Sequence, residues 1–475
     1  MDLDREHGSE LGNVIRIAVP IVITMSTRMI MDVTDYVMIS RVSREAQAAM
    51  LPAQLTIFTY IVLGFGILSM VNTLAAQSFG RRRYSDCSAY TWQGLYLTVV
   101  FAGLGCLMWP VLPWSIRIIG HEPAVQALEL AYTRAAVLTI GPTLAGATLS
   151  GFFNGVQRPL VTMWSAIEAV LINAVVSYCL IYGALGLPEM GIVGAAYGTL
   201  IGGCYRMVRL TWSMCAPSYH RRFASRRTWR FDWGKTKSIL RIGAPTGLQW
   251  VSDVVVWWAF VNILVGRFFG TDHLIASNTA WQYLRIAFLP CIGMGIAVTS
   301  LVGKVIGQGD KPRAIRLTRI VVLLVSGYMS IFSILYLFGG TWLISLLNDT
   351  PEVIRIGGGV MICAAIFQLF DGLGITYTSA LRGAGDTFWP SMLFIISHWV
   401  ILIGGGWAVA HYMPHWGSVG PWVAASVLLV FTGVALWWRW HSRKWMAIDL
   451  FKDEGTEGGD VVPTEPEAAE VVEIS

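Results

Sequence analysis

Arg28, Asp32 and Asp35 stand together in the second half of an apolar stretch at 14–39, VIRIAVPIVITMSTRMIMDVTDYVMI. About 20 residues rising ~1.5 Å each cross the ~30 Å hydrocarbon core of a bilayer. A charge at mid-membrane costs at least ~2.5–3.5 kcal/mol on insertion scales, so such side chains turn to a protein interior or a water-filled cavity. Spacings of four and three residues put all three on one helix face. A carboxylate in low dielectric has a raised pKa and can load and release a proton, bind Na⁺ with neutral oxygens, or attract a cationic substrate. A plainer reading makes Arg28–Asp32 a neutral pair that staples the helix; Asp35 has no local cation. Pro20, upstream, removes one backbone N–H and gives the helix a place to bend.

Few other ionisable residues interrupt apolar runs. Glu168 lies in the first half, with the amides Gln54, Asn72 and Asn173. The second half has Asp253, Arg285, Asp371 and His398, with Asn262 and Gln368. Asp253, Arg285 and Asp371 are expected within interaction distance of one another, because isolated charges there would be too costly. They form a substrate site in this reading, or a structural ion pair through Arg285. His398 reads as a hydrogen-bonded interior residue. Aromatics near the acids, such as Trp257, Trp281 and Phe367, are ordinary packing or belt residues that could also face a flat cation.

These residues must be positioned by membrane helices. Of 475 residues, 55% are hydrophobic and only 13% charged, against roughly 25% in soluble domains. An all-α polytopic membrane protein is expected, with spans near 14–39, 51–77, 89–114, 127–152, 160–183, 191–214, 239–265, 277–303, 316–338, 354–380, 388–412 and 420–440. Residues 1–13 are polar and the first run is too long for a cleaved signal. Basic residues concentrate in the even-numbered loops and after the last span, which predicts an inner (cytoplasmic) membrane protein with both termini cytoplasmic. The segment 215–238, CAPSYHRRFASRRTWRFDWGKTKS, is a basic cytoplasmic linker between 1–214 and 239–448. The tail 449–475 is acidic, rich in Gly and Pro, and expected to be disordered.

The halves repeat. IRIAVP at 15–20 matches LRIGAP at 240–245, and GIVGAA at 191–196 matches GSVGPW at 417–422. Gly80 corresponds to Gly307 and Gly155 to Gly383, all at offsets of 225–228. With six spans each, the halves share one orientation. The expected architecture is twelve transmembrane helices in two six-helix pseudo-symmetric lobes related by an axis along the membrane normal.

Composition and motifs also exclude. The formal charge of +5 sits in loops and does not mark nucleic-acid binding. The 7 cysteines follow no zinc or disulfide spacing, and no metal or cofactor is expected. HExxH, GxSxG and the P-loop are absent, which argues against an intramembrane enzyme and against ATP-driven transport.

The stretches IAVPIVITMSTRMIMDVTDYVMISRVS, NTLAAQSFGRRRYSDC, LPCIGMGIAVTSLVGKVIGQGDKPRA and DGLGITYTSALRGAGDT together resemble the multidrug and toxic compound extrusion (MATE) family, over nearly the whole chain except the tail. The resemblance implies a V-shaped monomer with a central cavity that exports amphipathic, often cationic small molecules in exchange for H⁺ or Na⁺. It assigns ion coupling to Asp35 with Asn173 and Thr199; Asp32 and Glu168 are further candidates for that pocket. Where the family has a second fifth-helix aspartate, this chain has Ser177, which weakens a Na⁺ site and favours a proton on Asp35. Asp371 matches the tenth-helix aspartate of the NorM-like branch, and Asp253 falls near that branch's seventh-helix glutamate. A flippase for a lipid-linked saccharide is the alternative, but it needs a strongly cationic cavity.

Overall fold

The computed structural model describes residues 9–119 and 121–451, and among them there is no β-strand. Eleven helices are long and apolar enough to cross a membrane. They are α1 (Glu10–Ser40), α2 (Arg44–Gly80), α3 (Tyr84–Arg117), α4 (Pro123–Gly155), α5 (Pro159–Tyr182), α7 (Trp233–Arg267), α8 (Thr271–Gly307), α9 (Lys311–Ser345), α10 (Pro351–Ala384), α11 (Phe388–Tyr412) and α12 (Val419–His441). A further long helix, α6 (Ile192–Cys215), carries Arg206 and Arg209 and is not among the eleven. Helices dominate because a segment in hydrocarbon must pair every backbone N–H and C=O within itself. Their starts are written locally. Ser9, Ser43, Asp232 and Asp310 accept hydrogen bonds from the backbone N–H three residues on. Pro123, Pro159 and Pro351 occupy first-turn positions, where the missing N–H costs nothing.

Helices α8, α9 and α10 run several residues beyond the expected spans. Lys304, Arg316 and Arg382, read from sequence as loop residues, therefore lie inside α8, α9 and α10. Two helices contain a wide turn of i→i+5 hydrogen bonding, at Phe260–Arg267 in α7 and His398–Gly405 in α11. Such turns are uncommon and often mark functional positions.

Contacts between the halves are reciprocal. A methyl on Gly80 would lie 2.0 Å from the Lys304 carbonyl, and one on Gly307 would lie 2.2 Å from the Gln77 carbonyl. The ends of α2 and α8 therefore touch backbone to backbone. Thr73 Oγ1 donates to the Arg382 carbonyl (3.1 Å), and Ser300 Oγ donates to the Asn154 carbonyl. Thr73 and Ser300 are 227 residues apart, and Asn154 and Arg382 are 228 apart. One bond is thus the repeat image of the other. Gln77 Nε2 to the Gly383 carbonyl (2.9 Å) and Gln157 Nε2 to Ser300 Oγ (2.6 Å) extend the seam.

The basic segment after α6 is ordered. A short helix, Pro217–Phe223, buries Phe223 against Phe79 and Phe152. Trp92 Nε1 and Gln93 Nε2 of α3 donate to the carbonyls of Ser225 and Arg230. The expectation of a disordered tail from 449 needs correction at its start. Asp449 is bonded to Arg81 at 2.6 Å and Phe451 is buried against Tyr90, because this first piece has a cation and an aromatic to dock on. Residues 452–475 lie outside the described residues.

Candidate functional site

Asp35, five residues before the end of α1, is only 2% exposed. Across from it α5 supplies Asn173 and Ser177, one helical turn apart, and α6 supplies Thr199. Thr199 Oγ1 donates to Asp35 Oδ2 at 3.4 Å. Asn173 Nδ2 donates to Thr199 Oγ1 and Ser177 Oγ, both at 3.3 Å. Glycines make the approach possible. A methyl on Gly198 would fall 2.0 Å from Ser177 Oγ, and one on Gly202 would meet the Ala169 carbonyl at 2.9 Å. After these bonds, Asp35 Oδ1 and Asn173 Oδ1 are buried with no partner. A buried carboxylate oxygen without a donor is costly, so these oxygens favour a positive partner. A proton on Asp35 or a small hard cation held by these oxygens would satisfy them.

Two residues expected in this pocket are elsewhere. Glu168 accepts from Tyr205 Oη at 2.9 Å and pairs with Arg209 at 3.4 Å. Glu168 and Arg209 line a groove between α5 and α6 with Leu160, Trp164 and Tyr219. Glu168 sits five positions from Asn173, so it points to a different side of α5. Asp32 lies on the rim, bonded to Arg28 (3.4 Å) and Arg285 (3.8 Å), and acts on Asp35 only through space.

The expected trio of Asp253, Arg285 and Asp371 does not assemble. Arg285 of α8 reaches across to Asp32 of α1, because α1 packs directly on α8. Asp253 instead meets His398, with Oδ1 3.2 Å from Nε2. His398, at the start of the wide turn in α11, has Nδ1 2.8 Å from the Phe394 carbonyl. A carbonyl only accepts, so Nδ1 carries a proton. Nε2 is then bare in the neutral ring. The contact with Asp253 closes only when one proton lies between the two, on either the carboxyl or the imidazole. Asp371 and Arg382 of α10 are both within electrostatic reach of Asp253. Arg382 is held by Gln249 Oε1 at 3.1 Å, which Ser391 Oγ shares. Asp253 keeps 39% of its side chain accessible, whereas His398 is almost fully buried.

Arg206, Arg209 and Arg382 were missed as cations within membrane helices. Arg206 and Arg209 stand inside the 191–214 span, so their position alone was a signal. Arg382 was hidden by the Gly-rich LRGAGDT, which reads as a loop but continues α10 to Ala384. Pro20 lies within continuous α1, and the Thr24 hydroxyl returns to its carbonyl at 2.8 Å. No cluster able to hold a metal occurs among the described residues.

The comparisons with known proteins agree in kind. The MatE family model matches residues 20–179 and 252–407, one block in each half. A probable multidrug resistance protein NorM of Rhizobium meliloti is 29% identical over 432 residues, covering 89% of this chain and 91% of that protein. The solved structure of an outward-facing multidrug resistance MATE family transporter of the MOP superfamily superposes with a TM-score of 0.84 at 18% identity, covering 93% of this chain and 98% of that one. A MOP superfamily transporter from Pyrococcus furiosus, whose binding pocket is described as having reverse polarity, gives 0.82 at 18% identity over 92% and 96%. Matched in both halves and nearly end to end, this multi-pass membrane chain belongs to the MATE family of transporters and is not an enzyme.

Proposed function

We propose that the protein is a secondary antiporter that exports amphipathic, mainly cationic organic compounds from the cytoplasm in exchange for protons. In this reading twelve helices form two six-helix lobes, α1–α6 and α7–α12. The segment 215–238 joins them, both termini are cytoplasmic, and the protein works as a monomer. The reciprocal bonds from Thr73 and Ser300 support the two-lobe division, since a pseudo-two-fold axis between the halves would produce such a pair. The similarity to multidrug resistance proteins of the NorM kind supports drug export.

The observation that carries the coupling is the pair of orphan oxygens around Asp35. Ser177 gives the cluster one carboxylate and two hydroxyls, which suits a proton better than a dehydrated Na⁺ in need of negative charge. A proton on Asp35 removes its charge and weakens its hold on Thr199. Helix α1 can then bend at Pro20. Thr24, Ser26 and Thr27 already bond back to α1 carbonyls, an arrangement that loosens a helix locally. The Asp253–Asp371 group is the place for the substrate's positive charge.

The test is efflux of a fluorescent cation from proteoliposomes under an imposed pH gradient or an imposed Na⁺ gradient. The pH gradient alone should drive transport. A Na⁺ gradient driving transport with no pH gradient would overturn proton coupling, and the orphan oxygens would then be Na⁺ ligands.

A further inference from the structure

Helices α5 and α6 pack on each other, on α1 and on α4, and turn their remaining faces outward. On α5 the outward stripe includes Leu160, Trp164, Leu171 and Val175, and on α6 Val208 and Trp212, all exposed. In a membrane chain such a stripe meets acyl chains. Two charges interrupt it. Glu168 follows Trp164 by one turn and Arg209 stands beside Val208. Their side chains are 35% and 41% accessible. A charge facing lipid is costly, and an ion pair offsets that cost only in part. The pair stands in a groove of about 310 Å³, walled by Leu160 and Trp164 on one side and by Ser213, Ala216 and Tyr219 on the other. The groove has a polar end. Arg209 Nη1 donates to Ser213 Oγ at 2.6 Å, so the guanidinium leans toward the end of α6, as a snorkelling cation does. Long helical side chains lean toward the helix N-terminus, which takes Glu168 toward the start of α5, at the same end. Arg158, just before α5, acts electrostatically on Tyr219 there. Tyr205 Oη and Arg209 Nε both take Glu168 Oε2, which leaves Oε1 as an acceptor and Arg209 Nη2 as a donor for a ligand.

We propose that this groove holds the headgroup of a phospholipid bearing a primary ammonium, with its phosphate on Arg209 and its ammonium on Glu168. The acyl chains then lie along the apolar stripe of α5 and α6. The two charges of such a headgroup are joined by a short linker, and here they meet two opposite charges in contact at 3.4 Å. A guanidinium presents a planar fork of donors that matches phosphate oxygens. A primary ammonium has three N–H donors and can bond Glu168 Oε1. A choline headgroup has no N–H to offer that oxygen, and an anionic headgroup brings Glu168 no positive charge. Asn173 and Ser177 face the Asp35 cluster from another side of α5, so lipid occupancy here is separate from coupling.

Native mass spectrometry of the full-length protein in detergent tests this, by titration with phosphatidylethanolamine, phosphatidylcholine and phosphatidylglycerol of one chain composition. Wild type should hold its first phosphatidylethanolamine about tenfold more tightly than either of the others, the worth of one hydrogen bond to a charged group. Glu168→Gln should bring phosphatidylethanolamine to the level of phosphatidylcholine. Arg209→Gln should weaken those two lipids alike, since both carry the phosphate. A phosphatidylethanolamine with a photoreactive acyl chain should label residues 160–175 of α5 or the facing part of α6. Wild type without a preference, a preference that survives Glu168→Gln, tightest binding of phosphatidylglycerol, or labelling confined to other helices would each overturn the proposal. So would equal competition by glycerophosphoethanolamine, which has the headgroup and no chains, because the groove would then read a soluble molecule. The wild-type preference and the labelled positions decide the matter even where a variant does not fold.

Discussion

Asp35 accepts one hydrogen bond, from Thr199, and has one orphan oxygen, so its replacement separates coupling from packing. Asp35→Asn keeps the shape and fills Oδ1 with an amide. It should abolish export driven by a pH gradient while leaving binding of a cationic dye within about threefold, roughly 0.65 kcal/mol. Glu168→Gln should leave coupling intact, since Glu168 is bound to Arg209 and Tyr205 outside the pocket. Loss of coupling in Glu168→Gln, with Asp35→Asn still coupled, would reverse the two roles. His398 yields a sharper outcome. Its ring closes the contact with Asp253 only with a shared proton, so His398→Gln, which can donate without one, should reduce the protons released when the dye binds. A pH-sensitive dye in weakly buffered solution measures this, and unchanged release would remove His398 from the proton path. Residue types were the most legible part of the site. Asp35, Asp253 and Asp371 announce themselves as acids in apolar runs. Their partners were not legible, because they depend on which helix lies opposite: Arg285 found Asp32 on α1, and Asp253 found a histidine that reads from sequence only as a hydrogen-bonded interior residue.

The ends of helices α2 and α8 meet backbone to backbone at Gly80 and Gly307, so their geometry is most exposed to change there. Gly80→Ala would place a methyl 2.0 Å from the Lys304 carbonyl, on a backbone that cannot turn aside. The helices must separate, at a cost of about 1–3 kcal/mol. The expected result is a lower melting temperature in detergent and faster labelling of a cysteine placed at Thr73. A variant that melts like wild type and keeps Thr73 shielded would mean that the seam yields freely. Helix existence was plain in the sequence, because spans of this length and apolarity allow little else. Helix ends were not. LRGAGDT and VIGQGDK look like turns, and the backbone turns only after their first glycines. The repeat was visible as matched glycines at constant offset. Their physical purpose, reciprocal close approach across the seam, required the packed structure.

At the scale of the molecule, the closed seam has a second fastening made by the start of the tail. The Arg81 guanidinium lies 4.3 Å from the centre of the Phe451 ring and bonds Asp449 at 2.6 Å. Phe451 packs edge-on against Tyr90 of α3, Leu450 covers Gly385 after α10, and Lys311 Nζ donates to the Met446 carbonyl. Residues 446–451 thus tie α2 and α3 of one half to α9 and α10 of the other. Partial burial raises the Asp449 carboxyl's pKa. The Arg81 hydrogen bond, the Phe451 backbone N–H and the charges of Arg81 and Lys311 outweigh it and hold the carboxyl below its usual value. A carboxyl whose pKa is lowered by its contacts strengthens them when ionised. The clasp is therefore at full strength above the ordinary carboxylate pKa and weakens as pH falls through the lowered one. Hydrogen exchange of the 446–451 amides, corrected for its intrinsic pH dependence, should show protection near neutrality that declines through the acid range. Asp449→Asn should be less protected near neutrality and show no such decline. Phe451→Ala should lose protection at every pH, because it removes the aromatic dock rather than the charge. If Asp449→Asn declines with pH as wild type does, Asp449 is not the group that holds the clasp.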